Sequence, residues 1–378
     1  MPSLRGDQLP ETTVAAVLSE YGRDLELKEV RVPRPEPGAL VVEVELASVC
    51  GSDVHTWSGN VSPVLPITPP LILGHEVVGR VAAIGSGAQL DSVGRPLAVG
   101  DRVVWEHEAC GRCEMCSVER QPTLCPNRRV GMFHNINQFP YTAGGFSRYS
   151  YVWPRSGRLR VPDGVPSDAA AAGSCALRTV VHAFDLLGKV DHRSRVVVQG
   201  SGPLGLFSVA MAARMQPRSL VVVGAPDDRL ELAKQWGADE VVSVRTHPTP
   251  SDRIARVVDL TDGGPDVLLE MSGASGAFAE GVSMARRNAR YVVVGTLGGP
   301  DQLVPVSTIV GRGLRIIGCL GADIGSYHSA MEFLAAAAPD FRWSDMFSGT
   351  RHRLSEATTA LENLRSMTEI KSVIDPWA

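Results

Sequence analysis

Seven cysteines are distributed unevenly along the chain. Cys110, Cys113, Cys116 and Cys125 fall within sixteen residues, while Cys50, Cys175 and Cys319 stand apart. The two-residue gaps of Cys110-x2-Cys113-x2-Cys116 let successive sulfurs turn onto one ion, and Cys125 supplies a fourth thiolate. Four thiolates close a tetrahedral Zn²⁺ site and leave no position for a substrate, so this set predicts a structural zinc that pins a loop. The competing readings are buried cysteines brought close by coincidence and a zinc ribbon for nucleic acid. The spacing argues against the first, and flanks without a basic or aromatic surface argue against the second.

A second constellation is scattered in sequence. Cys50 lies in VCGSDVH, His75 and Glu76 in LGHEVVGRVAAIG, and Cys175 in AGSCALRTVVHA. Cys50, His75 and Cys175 form a Cys₂His set that leaves one zinc position open for water or substrate. An open zinc can bring the pKa of a bound water or alcohol toward about 7 and can polarise a carbonyl. Taken singly, Cys50 or Cys175 also reads as a small buried hydrophobe. Ser52 is spaced to hydrogen-bond an alcohol oxygen, His55 to pass its proton to solvent, and Asp53 to orient His75 as a carboxylate behind the ligand. Ser52 and Asp53 read equally as an N-cap pair of a helix starting there, and His55 as a solvated surface residue.

These residues need elements to hold them. The chain has 378 residues, 44% of them hydrophobic and 21% charged, enough for two domains of ordinary globular composition. A net charge of −4 without any Lys/Arg block argues against nucleic acid or an anionic membrane as partner. No apolar run reaches a membrane span, and the N-terminal segment lacks the apolar core of a secretory signal, so the expected location is cytoplasmic with reduced thiols. Up to about residue 165 the pattern is strand and turn, as in 39–49 (ALVVEVELASV). From 166 an Ala-rich helical stretch leads into alternating short apolar strands and helices. Strands are expected at 195–199, 220–224, 240–244, 266–270, 291–295 and 314–318, with helices at 204–215 and 228–236. That alternation predicts a parallel sheet covered on both faces. After about 325 come two helical patterns and a strand, KSVIDP, that could return to the first domain.

Gly200-Ser-Gly202-Pro203-Leu204-Gly205 follows a strand and opens a helix, the arrangement that brings a pyrophosphate to a helix N-terminus. The acid expected about twenty residues on, which would bind the ribose hydroxyls, is replaced by Gly224. Its loss makes room for a 2′-phosphate, yet Asp227 and Asp228 would repel one. Arg229 is the nearest cation and reads also as a helix-surface residue, so NAD(H) and NADP(H) both stay open.

With these residues in place the chain resembles the zinc-containing medium-chain alcohol dehydrogenases over nearly its whole length. Gly74, His75, Glu76, Gly79 and Gly85 fit the family's zinc signature, and GDRV at 100–103 and the glycine loop follow in the expected order. The resemblance implies an α/β protein with a GroES-like β-rich catalytic domain at 1–170 and 325–378, a Rossmann doubly wound parallel-sheet domain at 171–324, and an active-site cleft between them. It implies Cys50, His75 and Cys175 as catalytic zinc ligands, with Glu76 as a carboxylate that coordinates transiently. Ser52 and His55 match its proton relay, and the four clustered cysteines match its structural zinc. Lys371 looks like the residue that reaches the coenzyme pyrophosphate, and Val294, Gly295 and Thr296 like the segment beside the nicotinamide. The sequence departs from the family at Gly224, at Gly51, where some members carry a basic residue for the pyrophosphate, and at Cys116-x8-Cys125, where seven intervening residues are usual. The extra loop residue changes closure cost little.

The expected activity is hydride transfer between an alcohol and a nicotinamide coenzyme. Alternatives are zinc-dependent reduction of a carbonyl or conjugated C=C, and, more remotely, a non-catalytic assembly or binding protein; the zinc-free quinone reductase branch would lack both cysteine sets. The partner is a small-molecule alcohol or carbonyl, and the resemblance implies a homodimer or homotetramer built through the Rossmann domain. The 126–145 loop and Trp57 read as walls of the substrate cleft or, for the loop, as a surface or subunit contact. His134 reads as a further participant in the cleft or, as a lone loop histidine, as solvated, and Cys319, in RIIGCLG, reads as core.

Overall fold

The computed structural model describes residues 9–60, 67–295 and 303–378. They form two compact units, Met1–Arg178 with Ala322–Ala378, and Thr179–Gly321. The first unit opens with β1 (Thr12–Leu18), β2 (Glu26–Arg31), β3 (Leu40–Ser48), α1 (Gly51–Trp57), β4 (Leu71–Ile72), β5 (Glu76–Ile84) and β6 (Arg102–Trp105). A single-turn helix, α2 (Glu114–Ser117), lies among the clustered cysteines and is followed by β7 (Tyr149–Val152), β8 (Arg158–Arg160) and α3 (Ser167–Ala172).

The second unit alternates strand and helix after α4 (Arg178–Leu187), whose first residue belongs to the first unit. The order is β9 (Arg195–Gln199), α5 (Pro203–Arg214), β10 (Ser219–Gly224), α6 (Asp227–Gln235), β11 (Glu240–Ser243), α7 (Pro250–Leu260), β12 (Val267–Glu270), α8 (Ala277–Met284), β13 (Arg290–Val293), α9 (Val306–Arg312) and β14 (Arg315–Gly318). The chain then returns to the first unit through α10 (Ile324–Ala336), β15 (Phe347–Arg353), α11 (Ala357–Arg365) and β16 (Lys371–Asp375).

The second unit's sheet runs β11-β10-β9-β12-β13-β14, every neighbouring pair parallel. Counted along the unit this is 3-2-1-4-5-6, the doubly wound order with its reversal beside the first strand. Val196, Val197 and Val198 of β9 are fully buried because helices cover both faces of a parallel sheet. The expected strands and helices all form, with ends shifted by one or two residues. The sequence reading did not resolve α7, α8, α9 or β15, whose patterns are short or broken by polar residues.

In the first unit, β16 lies between β15 and β3, parallel to the former and antiparallel to the latter, and β3 continues into β5, β6 and β8. The expected return of KSVIDP therefore occurs, at an interior position of the sheet. The Ala-rich stretch is not one regular helix: a π-helical turn, Gly173–Leu177, separates α3 from α4. A Cβ at Gly173 would come within 2.8 Å of the Leu334 side chain and 3.1 Å of the Met331 side chain, so α10 packs closely against this turn. Wider turns of this kind are frequent at functional sites, and this one carries Cys175.

Candidate active site

Cys50 N-caps α1, a helix started by a capping box in which Asp53 at N3 accepts the Cys50 amide at 2.9 Å. The same carboxylate, fully buried, accepts the Gly74 amide at 3.0 Å and faces His75 Nδ1 at 3.3 Å. That contact assigns the proton to Nδ1 and turns Nε2 toward the pocket. There Nε2 lies 3.4 Å from Cys175 Sγ and 3.4 Å from Ser52 Oγ. The N-cap reading of Ser52 is thereby corrected: Cys50 holds that position, and the serine hydroxyl turns into the pocket. His55 follows one turn on, exposed, with no hydrogen bond to Ser52 among the described residues.

Ligand atoms of Cys50, His75, Glu76 and Cys175 all lie within 4.8 Å of one another. Burial of Glu76 raises its carboxyl to about 8 even against the pull of Lys371, and the hydrogen bond shared with Cys175 pushes the Cys50 thiol up to about 11. Burial, the largest influence, disfavours the His75 imidazolium, but Asp53 and Cys50 together outweigh it and hold the ring at about 10. Glu76 Oε2 accepts from Ser48 and pairs with Lys371, while buried Oε1 has no hydrogen-bond partner among the described residues. Two crowded thiols, an aimed imidazole and an orphaned carboxylate oxygen fit a dication, which lets the thiols ionise together in low dielectric. Lys371 is only 3% exposed, with its ammonium on Glu76. The structure therefore gives it a counterion inside the pocket, where the sequence reading expected a pyrophosphate.

Ligand atoms of Cys110, Cys113, Cys116 and Cys125 likewise lie within 4.8 Å of one another. Cys113 Sγ is 3.5 Å from Cys116 Sγ and 3.8 Å from Cys125 Sγ. The edge of a zinc–thiolate tetrahedron is about 3.8 Å for Zn–S of about 2.3 Å, close to the two Cys113 distances, so the set fits zinc. A backbone hydrogen bond from Arg112 draws the Cys110 thiol down to about 6, whereas burial raises Cys116 to about 12, the divergence expected of thiols competing for protons.

In the second unit the glycine loop joins β9 to α5. Gly200 has φ +116°, and a Cβ at Gly205 would strike the Gly200 carbonyl oxygen at 2.0 Å. At Gly202, the N-cap of α5, a Cβ would meet nothing within 4 Å, which leaves room for a ligand at the helix N-terminus. Pro203 and Leu204 open the helix. At Gly224 a Cβ would press on Ser201 Oγ at 2.7 Å and its amide at 3.1 Å, so Ser201 fills the space of an acidic side chain. Arg229 is 5% exposed, which overturns its reading as a helix-surface residue. Gly295 and Val294 follow β13, their amides bonded to Glu270, and Thr296 lies outside the described residues.

The family model "alcohol dehydrogenase GroES-like domain" matches residues 36–163, and "zinc-binding dehydrogenase" matches 203–336. The chain is 34% identical to 5-exo-hydroxycamphor dehydrogenase of Pseudomonas putida, covering 96% of this chain and 98% of that one. The chain belongs to the zinc-type medium-chain alcohol dehydrogenases. This dehydrogenase is also 33% identical to L-threonine 3-dehydrogenase of Pyrococcus horikoshii over 84% of its length and 85% of the relative's. It superposes on the crystal structure of an alcohol dehydrogenase of Thermotoga maritima with a TM-score of 0.87, at 32% identity, covering 96% of this chain and 99% of that one. The GroES-like and Rossmann α/β architecture and an oxidoreductase activity follow from that membership.

Several expectations about the dehydrogenase's walls change. Trp57 is 4% exposed, its indole donating to the Arg23 carbonyl at 2.7 Å within the core around β1. The 126–145 loop is partly core: Met132 is buried, and Gly131 and Ala143 line a cavity beside His75 with Trp105, Glu106, His107 and Trp153. His134 is half-buried rather than solvated, its ring edge-on to Trp153 at 5.6 Å. Cys319 is buried as expected.

Sequence reasoning passed over Glu106 and His107, although they directly precede the cysteine cluster. The His107 ring is 6.0 Å from that of His75, and burial holds it neutral, well below the usual histidine range. Also passed over were Glu270, whose carboxylate accepts the Ser272, Gly273 and Gly295 amides, and Arg245, which pairs with Asp227 at 3.4 Å. Neither carries a local motif.

Proposed function

We propose that the protein catalyses reversible hydride transfer between an alcohol and a nicotinamide coenzyme at the Cys50–His75–Cys175 pocket. The observation that carries this reading is the convergence of the four ligand atoms within 4.8 Å, with the Ser52 hydroxyl beside His75 Nε2. Zinc held by Cys50, His75 and Cys175 would supply a Lewis acid toward an alcohol or carbonyl oxygen. Ser52 accepts the proton of the alcohol as its own hydroxyl proton moves on through intervening water to His55, one turn on and exposed, which delivers it to solvent. Asp53 fixes the His75 ring, and Lys371 keeps the Glu76 charge compensated. Trp105 and Trp153 offer an apolar wall to the organic part of the substrate. A second, structural zinc on the four clustered cysteines is part of the reading.

For the coenzyme we favour NADP(H). A carboxylate is missing at Gly224, and Asp227 is already engaged by Ser243 and Arg245, which reduces its repulsion of a phosphate. Arg245 is then the cation for a 2′-phosphate. A homodimer formed through the edge strand β14, and a cytoplasmic location, complete the proposal; no helix among the described residues is long and apolar enough to cross a membrane, and no disulfide joins the cysteines.

The test is NAD(P)H formation by the purified protein with primary, secondary and polyol alcohols. Cys50→Ala and His75→Ala should each abolish it and lower the metal content by about one ion per chain. Undiminished turnover in either variant overturns the assignment.

A further inference from the structure

Arg178 opens α4 three residues after Cys175, so the two side chains share one helix face. Its Nη2 donates to Cys175 Sγ at 3.6 Å, and its Nε donates to the Ser174 carbonyl at 3.2 Å. The guanidinium carbon sits 5.2 Å from the centroid of the Tyr327 ring. Arg178 is 6% exposed and Tyr327 1%. A guanidinium withdrawn from water costs several kcal/mol unless an anion answers it. Among the described residues no carboxylate lies within ion-pair distance of Arg178. Glu106 attracts it and Arg128 repels it from further off. Its side-chain acceptor is Cys175 Sγ.

We propose that Arg178 is a positioning residue that acts through Cys175, setting the direction of that sulfur and how strongly it donates to a bound metal. The inference rests on the reading that Cys50, His75 and Cys175 hold a metal. A charge-assisted N–H···S bond draws electron density from one thiolate, and partners behind a ligand tune a metal site as the ligands do. The π-helical turn brings Cys175 to the pocket, and the Ser174 and Tyr327 contacts hold the guanidinium while it donates. Arg178 is thus a tuner of the metal and makes no contact with substrate.

The experiment replaces the native metal of the full-length protein by Co²⁺ and reads the thiolate-to-cobalt charge-transfer absorption. Cys175→Ser identifies the part of the spectrum that belongs to Cys175 against that of the other cysteines. In Arg178→Gln the Cys175 band should move to lower energy, and metal loss to a chelator should change about 10-fold or more. Arg178→Lys, which keeps a cationic donor, should restore part of the shift. Tyr327→Leu leaves the donor but removes its platform, and should give a smaller shift of the same sign even if Arg178→Gln does not fold. An unmoved band in folded Arg178→Gln, or in Tyr327→Leu where only that variant folds, overturns the inference and leaves Arg178 as packing. Identical spectra for the unaltered protein and Cys175→Ser would instead overturn the metal reading, and the inference with it.

Discussion

Asp53 does three things with one carboxylate: it closes the capping box of α1, ties down the Gly74 amide and orients His75. Asp53→Asn keeps the shape but weakens all three, and should lower metal affinity or turnover about 10- to 100-fold with α1 intact. Metal analysis beside far-UV circular dichroism separates this from unfolding. Glu106 gives a pH-dependent expectation. Burial raises its carboxyl to about 7, so between about pH 4.5 and 7 the folded state holds a proton that the unfolded state has lost. Stability must therefore fall as pH rises through that window, by on the order of 3 kcal/mol from this one group. Glu106→Gln should flatten the decline relative to the unaltered protein; identical denaturant midpoints at pH 5 and 8 for the two would refute it. Arg245→Ala should raise the KM for NADP⁺ about 10-fold or more, the worth of a charge-assisted phosphate contact, and leave that for NAD⁺ unchanged. Equal effects on both remove Arg245 from the 2′-phosphate site.

At the level of elements, the cysteine loop has little regular structure. Its helix α2 is one turn and has no buried residue. Cys116→Ser, or a strong chelator, should lower the thermal midpoint by several degrees or more, because binding energy at such a site is folding energy. An unchanged midpoint together with unchanged metal content would count against a structural zinc. The same loop shows why some of the site could be read from sequence. Thiolates at two-residue spacing have few uses in a reducing compartment, and a short 3₁₀ turn, Pro122–Leu124, leads into Cys125. The glycine loop was readable because strand, glycines and helix are contiguous. Lys371, Trp57 and Arg178 were not, since their roles depend on which distant element covers them. The Ala-rich stretch has uniform helical composition, and only its packing against Leu334 and Met331 reveals the wider turn.

On the scale of the whole molecule, β14 is the edge of the six-stranded sheet and leaves Ile316 38% exposed, with Val310 on α9 76% exposed. A strand at the edge of the sheet among the described residues, beside exposed apolar side chains, invites pairing with a second copy. Light scattering should give a dimeric mass, and Ile316→Lys with Val310→Glu should shift it toward the monomer; a monomeric starting protein would refute the pairing.

The interior position of β16 also has a consequence for biosynthesis. All of the second unit is translated between Glu76 and Lys371, so the ribosome releases the buried carboxylate long before its counterion exists. The second unit has no such dependence, because its six strands are consecutive. During translation it should therefore become protease-resistant while the first unit is still cleavable, and the metal pocket should form as one of the final events of synthesis.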